Sequence, residues 1–244
     1  MKTSNVACAL GLGLLWFGSS SAYALTVYEN DFQSAVGSEW SHTLTQNTPT
    51  PYPFGARSFL GEFGNEKVSL SLSNLAAHSS VLLEFDLYLI RSWDGSSAGT
   101  AFDYGDDHFK LAVTGGATLL DETFSNGNPA GQSFGPLTNN PYYTGASETY
   151  SLGYVFYDGI QQTSQVMDSV YHLSFQFASN ADQLTLNFTG YGLQSLDDES
   201  WGLDNVHVSA IPEASSVSMM GLGILALAWR ARRRSPVISA ARPR

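Results

Sequence analysis

Between residues 67 and 211 the chain repeatedly alternates apolar and polar side chains with a period of two. Val68, Leu70 and Leu72 are separated by serines, and the same rule holds at 83–89, 109–113, 171–177 and 184–188. A further strand is predicted around Leu203–Val208. This period is typical of strands that bury one face and expose the other. No segment before Ile211 has a sustained helical period, so the pattern predicts an all-β domain.

Stretches rich in Gly, Ser, Asn and Pro separate the strands, notably at 47–55, 95–105 and 125–145. Many short strands with one apolar face favour a two-sheet β-sandwich, most specifically a jelly roll. A continuous barrel is the alternative that the pattern leaves open. The long loop Ser125–Tyr150 is expected either to cover one edge of the sandwich or to rim a binding face.

The pattern changes after Ile211. An uncharged apolar run, Val217–Trp229, is followed by four arginines at Arg230, Arg232, Arg233 and Arg234. Because guanidinium groups resist translocation, this order predicts a transmembrane helix whose carboxyl end stays in the cytoplasm. As a helix the run would span roughly 20 Å, against a hydrocarbon core of about 30 Å. We therefore expect a transient membrane anchor, with a buried core helix as the alternative.

The amino terminus has the layout of a secretory signal peptide. Lys2 supplies a positive charge, residues 6–17 are apolar, and Ala22 and Ala24 form a small-x-small cleavage site. Cleavage after Ala24 would remove Cys8, the only cysteine. The mature chain would then contain no disulfide and no thiolate metal ligand. We predict a signal peptide at residues 1–24 and a β-sandwich at residues 25–210.

Residues 211–234 resemble the PEP-CTERM sorting signal of Gram-negative bacteria, which joins a Pro-Glu-Pro motif, a short apolar helix and an arginine-rich end. Pro212 and Glu213 match the motif, whereas Ala214 stands in place of the second proline. A basic tail, 235–244, follows. The resemblance implies processing by exosortase, a membrane transpeptidase. It also implies transient insertion in the inner membrane and export to the outer surface or extracellular matrix, in step with exopolysaccharide production.

The predicted mature domain is strongly acidic. It contains all 22 Asp and Glu residues of the chain except Glu213, against four basic residues, a net charge of −17. Such a surface repels nucleic acid and anionic lipid, so neither is an expected partner. It suits divalent cations and neutral polymers, and solubility alone is the alternative explanation.

Two short motifs at the ends of the domain carry a second resemblance. Glu29 and Asp31 lie in the opening strand, and Asp204 lies in the closing motif Trp201–Val206. This pairing is similar to that of jelly-roll carbohydrate-binding modules and concanavalin-like domains, in which the first and last strands often lie side by side. The resemblance implies a structural calcium held by Glu29, Asp31 and Asp204, whose hard oxygens suit that ion. Ordinary turn and strand-end acids are the alternative.

Two further acidic clusters are present. The first runs from Asp94 to Asp107 and does not have the spacing of an EF-hand, so it is either an irregular loop site or a set of turn formers. The second is Asp197–Glu199, for which a solvated turn is the expected structure.

Aromatic residues in or beside predicted loops could stack on sugar faces if they are exposed. These are Tyr52, Phe54, Trp93, Tyr104, Tyr142, Tyr143 and Tyr157, of which Trp93 is expected to be buried, as is Trp40.

Glu84 and Asp86 resemble the start of the Glu-x-Asp-x-x-Glu motif of laminarinase-like glycoside hydrolases, but Leu89 replaces the second glutamate. Glycoside hydrolysis requires two carboxylates. We therefore expect an exported, non-catalytic protein associated with exopolysaccharide or biofilm matrix, with calcium as its implied cofactor. A laminarinase-like hydrolase is the alternative.

Overall fold

A computed structural model describes residues 24–49, 55–96, 105–159 and 161–213, together with Arg230. Residues Ala24–Pro212 form one compact unit. The described strands are β1 (Leu25–Asn30), β2 (Thr45–Asn47), β3 (Ser58–Phe63), β4 (Lys67–Ser73), β5 (Ser80–Arg91), β6 (His108–Val113), β7 (Thr118–Thr123), β8 (Glu148–Thr149), β9 (Val155–Asp158), β10 (Thr163–Val166), β11 (Asp168–Ala178), β12 (Gln183–Tyr191) and β13 (Glu199–Ile211). The all-β prediction is confirmed.

Two antiparallel sheets form a sandwich with jelly-roll topology. The large sheet has the order β2-β3-β13-β5-β11-β8, with β1 also paired to β13, and the smaller sheet has the order β4-β12-β6-β7. From β3 onward the chain crosses repeatedly between the two sheets, so that each sheet contains strands distant in sequence. Two four-stranded layers of this kind, β3-β13-β5-β11 and β4-β12-β6-β7, define a jelly roll. A separate hairpin, β9–β10, completes the described strands.

Alternation along the central strands places the core between the sheets. On β5 the odd-numbered residues Leu83, Phe85, Leu87 and Leu89 are fully buried in the main core. Residues from the opposite sheet, including Phe188 of β12, meet them there, with the Phe85 and Phe188 rings 5.2 Å apart. Apolar burial of this kind stabilises the sandwich by about 25 cal/mol per Å² of surface removed from water.

The loop that follows β7 covers one edge of the sandwich, the first of the two arrangements expected for it. Phe134 stacks on Phe124 with ring centroids 4.8 Å apart, and both rings meet Tyr171 of β11 edge-on. Gln132 is fully buried, and its amide donates to the carbonyls of Phe134 and Thr144. The loop is therefore folded against the core, and the Gln132 side chain satisfies two of its backbone carbonyls.

A second, smaller core lies on the outer face of the large sheet. It consists of Phe59, Tyr88, Ile90, Leu152, Tyr154 and Val170. The segment between β8 and β11 covers this part of the sheet, which explains why Tyr88 and Ile90 are buried although they point away from the main core. The sequence pattern did not predict this layer.

Most of the two predicted terminal signals lies outside the described residues. The predicted transmembrane helix, Val217–Trp229, lies outside the described residues, as do Ala22, Arg232, Arg233 and Arg234. In the part of the chain that the structure covers, we find no helix with the length and hydropathy needed to cross a bilayer.

Candidate functional site

The sorting motif follows the last strand directly. The carbonyl of Ile211, at the end of β13, accepts a hydrogen bond from the backbone N–H of Ser79 at 3.0 Å. Pro212 and Glu213 come next, and Glu213 is exposed. Ala24, the last residue of the predicted signal peptide, lies just before β1 and is also exposed. Both predicted processing points therefore adjoin the ends of the sandwich strands.

The structure does not bring the three predicted calcium ligands together. β1 pairs with β13, as the resemblance implied, and Glu29 and Asp31 are exposed at the end of β1. Asp204, in contrast, is buried under the second core, where it accepts a hydrogen bond from the Tyr88 hydroxyl at 2.6 Å. β13 is an interior strand at this point, and its outward face is covered. The structure therefore contradicts the prediction that Glu29, Asp31 and Asp204 form one calcium site.

Glu29 and Asp31 instead line an open groove of about 650 Å³ on the outside of the sandwich. The other lining residues are Asn30, Ser34, Ala35, Asn205, Val206 and His207. A bulge in β13 between Asp204 and His207 gives Asn205 a φ of 49°. Its amide consequently reaches across to donate to Asp86 at 2.7 Å.

A different set of carboxylates does converge. Asp94 follows β5, Asp107 precedes β6 and Glu199 opens β13. Each offers a ligand atom, and these atoms all lie within 4.8 Å of one another; no other trio of acidic, histidine or cysteine residues in the described part of the chain does so. We call Asp94, Asp107 and Glu199 the carboxylate trio. It joins the two acidic clusters that the sequence singled out separately, and Glu199, expected in a solvated turn, is instead fully buried at the start of β13.

Register explains why these residues meet. Glu199 lies directly opposite Arg91 in the β13–β5 ladder, so the start of β13 and the end of β5 share one end of the sandwich. Trp93, which is fully buried, donates its indole N–H to the Ser200 carbonyl at 2.8 Å and holds the two segments together. Asp107 enters from the opposite sheet. Both acidic clusters are visible in the sequence, but no sequence pattern indicates that they meet in the fold.

Hydrogen bonds orient two members of the carboxylate trio. Oδ2 of Asp107 accepts the backbone N–H groups of Asp94 and Gly95, the latter at 3.0 Å. Oε2 of Glu199 accepts the backbone N–H of Gln194 at 2.6 Å. The remaining oxygens, Oδ1 of Asp107 and Oε1 of Glu199, are buried without a hydrogen-bond partner. Buried polar atoms are normally paired, so two adjacent exceptions require a physical explanation.

The electrostatics of the carboxylate trio are unfavourable for charge. Burial, followed by the charge of Asp198, raises the pKa of Asp94 to about 6. Burial raises the pKa of Asp107, and burial together with the Asp107 charge raises the pKa of Glu199. Desolvation and like charges both disfavour ionised carboxylates. Three negative charges can coexist here only with a compensating positive charge.

A second candidate surface is formed by tyrosines near β8. Tyr142 and Tyr150 are 41% and 54% exposed, and Tyr143 lies between them. The ring of Tyr143 meets Tyr142 edge-on at 5.2 Å and Tyr150 edge-on at 5.1 Å. We call these three residues the tyrosine patch. The sequence identified Tyr142 and Tyr143 as candidates but missed Tyr150.

The other aromatic candidates differ in exposure. Trp93 and Trp40 are buried, as expected, and Tyr157 is 59% exposed on β9. Tyr52, Phe54 and Tyr104 lie outside the described residues.

Comparison with known proteins identifies the carboxyl-terminal segment. Residues 210–234 match the PEP-CTERM protein-sorting motif. The chain is therefore an exported protein that is sorted to the cell surface through exosortase-mediated processing. The match covers about a tenth of the sequence and says nothing about the sandwich. No curated protein matches the chain.

Solved structures similar to the sandwich are distant. Dimeric latent PorU from Porphyromonas gingivalis is 13% identical with a TM-score of 0.34, over 79% of this chain and 14% of PorU. A carbohydrate-binding module of Cellvibrio mixtus lichenase 5A, solved with cellotriose, is 13% identical with a TM-score of 0.30, over 75% and 97% of the two chains. The K3 adhesin domain of Lys-gingipain from P. gingivalis is 14% identical with a TM-score of 0.36, over 75% and 98%. At these TM-scores the similarity carries no information about ligands.

Proposed function

We propose that the exported domain is a non-catalytic cell-surface or matrix protein that associates with exopolysaccharide. The observation that supports this is the tyrosine patch, which presents two exposed rings on a fixed backbone. Pyranose rings bind flat aromatic side chains through their apolar faces. The net charge of −17 favours a neutral polymer over an acidic one.

The backbone of the tyrosine patch is constrained. Tyr143 and Tyr150 have φ values of 62° and 59°, a region that non-glycine residues seldom adopt. Their backbone N–H groups donate to the carbonyls of Ser125 and Asp168, both at 3.0 Å. These bonds hold the backbone of Tyr143 and Tyr150 in place before any ligand arrives, which lowers the entropic cost of binding. Strained positions of this kind are concentrated at binding sites.

The glycan proposal is tested by affinity gel electrophoresis in neutral glucans and in exopolysaccharide from an exosortase-bearing bacterium. The wild-type protein should be retarded, and Tyr142→Ala with Tyr150→Ala should weaken binding about tenfold, which is a loss of about 1.4 kcal/mol. Tyr157→Ala is the matched control, because that tyrosine is equally exposed on a separate hairpin. Absence of retardation in every polysaccharide, or unchanged binding by the double variant, would refute the proposal.

Two residues of β5, Asp86 and Leu89, support the proposal that the protein is not an enzyme. Asp86 accepts hydrogen bonds from Asn205 at 2.7 Å and pairs with His172 Nδ1 at 2.8 Å, so its carboxylate is already engaged. Leu89, at the position of the hydrolase motif's second glutamate, is fully buried in the main core. A pair of opposed carboxylates is required for glycoside hydrolysis.

The alternative, a laminarinase-like glycoside hydrolase, keeps Glu84 as its candidate residue. Glu84 lies on the same outer face as Asp86, about 35% exposed, with His207 Nδ1 at 3.5 Å. We expect no release of reducing sugar from a panel of β-glucans. Hydrolysis that disappears in Glu84→Gln would instead establish the enzyme.

A further inference from the structure

We propose that the carboxylate trio binds one divalent cation, calcium, which joins the two sheets at one end of the sandwich. Asp94 and Glu199 belong to segments of the large sheet, and Asp107 stands immediately before β6 of the smaller sheet. Their ligand atoms lie within 4.8 Å of one another. This inference is independent of the glycan proposal.

Two buried oxygens of the carboxylate trio have no hydrogen-bond partner. Asp107 and Glu199 are fully buried, and one oxygen of each is already held by backbone amides. Oδ1 of Asp107 and Oε1 of Glu199 have no partner. A buried acceptor without a hydrogen bond is strongly destabilising, and a bound cation supplies the missing interaction to both atoms at once.

The negative charge of the carboxylate trio is not balanced by a basic side chain in the described part of the chain. None of the ion pairs found within the described ranges includes Asp94, Asp107 or Glu199. Arg91, which lies opposite Glu199 in the ladder, instead bonds Glu62 at 2.7 Å. Three clustered acids without a described basic partner leave a site that favours a positive ion.

The chemistry of the ligands selects the ion. All three side chains offer carboxylate oxygens, with no imidazole or thiolate, so zinc and copper are disfavoured. Calcium accepts irregular arrangements of six to eight oxygens at about 2.3–2.6 Å, whereas magnesium requires a near-ideal octahedron at about 2.0–2.1 Å. Ligands from three separate segments at the end of a sandwich suit the more tolerant ion. We therefore expect magnesium to bind more weakly.

The test is calorimetric titration of the exported protein, stripped with EDTA, against CaCl2 and MgCl2, together with thermal melts. We expect one calcium per chain and, at a hundredfold excess over Kd, a rise in Tm of about 5–10 °C. Glu199→Gln and Asp107→Asn should each abolish both responses. In the metal-free state each variant should melt at or above the wild-type temperature, because an amide carries no charge for burial and the neighbouring acids to disfavour.

Asp204→Asn is the matched control. Asp204 is also a buried acid, but it lies outside the carboxylate trio and was the residue that the sequence implicated in calcium binding. This variant should keep the full calcium response. If either trio variant fails to fold, Asp94→Asn, at the half-buried edge of the trio, replaces it.

Three results would overturn the proposal. The first is a wild-type protein whose Tm and titration heat do not respond to calcium or magnesium. The second is calcium binding that persists with unchanged affinity in the trio variants. The third is loss of binding in Asp204→Asn alone, which would return the site to the opening and closing strands.

Discussion

Asp168 and the carboxylate trio are two of the places where the described structure buries acidic side chains, and the oxygens of the two are paired in opposite ways. Asp168, at the start of β11, is fully buried, yet its carboxylate accepts backbone N–H groups from Leu152, Gly153 and Tyr154 at 2.9–3.0 Å. The carboxylate trio has fewer donors, leaves two oxygens unpaired and has no described ion pair. Backbone N–H groups pair the oxygens of the first site, whereas two oxygens of the second have no such donor.

Burial of an acid therefore does not by itself indicate a metal. Burial raises the pKa of Asp168, but its backbone hydrogen bonds act in the opposite direction and favour the charged form. At Glu199 the neighbouring acids add to the effect of burial on the pKa instead of opposing it. The distinction lies in the partners of each oxygen atom, which only the folded arrangement reveals.

Asp168→Ala should have the largest effect on stability. It removes the acceptor of at least three backbone N–H groups beneath a covered surface, so we expect a loss of about 3–5 kcal/mol in the free energy of unfolding. Urea unfolding in saturating calcium measures it. Calcium affinity should not change, since Asp168 is outside the carboxylate trio. A loss below about 1 kcal/mol would show that other groups satisfy these donors.

Gly95→Ala should displace the backbone N–H that holds Asp107 in the carboxylate trio. Gly95 has a φ of +74°, donates its N–H to Asp107, and a Cβ at this position would collide with the Gly131 carbonyl oxygen. We expect a loss of about 2–3 kcal/mol in the free energy of unfolding, because the backbone at position 95 is strained and the backbone around Gly131 must move. Calcium affinity should fall together with stability.

Gly115→Ala provides the control for that prediction. Gly115 has a similar φ of +70°, but a Cβ added to it would have no atom within 4 Å. The substitution should cost only the strain of a positive φ, about 1–2 kcal/mol, with calcium affinity unchanged. Equal calcium affinities in the two alanine variants would show that Gly95 does not position Asp107.

Asp204→Asn should change the pH dependence of stability and, at about pH 4, the stability itself only slightly. Burial raises the pKa of Asp204 from 3.8 to about 6, so the folded state binds the proton more tightly than the unfolded state. The stability that protonation provides is therefore present below about pH 4 and lost as pH rises through about 6. Relative to wild type, the variant should gain on the order of 2 kcal/mol between about pH 4 and pH 7.

Urea midpoints of both proteins at about pH 4, 5.5 and 7 measure this gain. Groups that titrate equally in the two proteins cancel in the difference. A difference that does not vary with pH would mean that Asp204 stays ionised throughout, held by the hydroxyl of Tyr88 and the backbone N–H of Asn205.

Periodicity predicted six of the thirteen described strands, and it failed at β3, which is covered on both faces. β4, β5, β6, β11, β12 and β13 each contain a predicted alternating segment. β3 was missed because Phe59 enters the second core while the adjacent Leu60 enters the main core, so both faces are apolar. A strand buried on both sides shows no period of two. The sequence pattern also did not predict the segment between β8 and β11, which covers the outer face of the large sheet.

The sequence alone determined the fold class and the route of the protein, because alternation, a signal-like leader and an arginine-backed carboxyl terminus are local patterns that depend on neighbouring residues only. Tertiary structure decided which acids meet. Asp94 and Glu199 are about a hundred positions apart, and their proximity follows from the antiparallel register of β5 and β13. Register is set by the packing of whole sheets, so no local motif encodes the carboxylate trio.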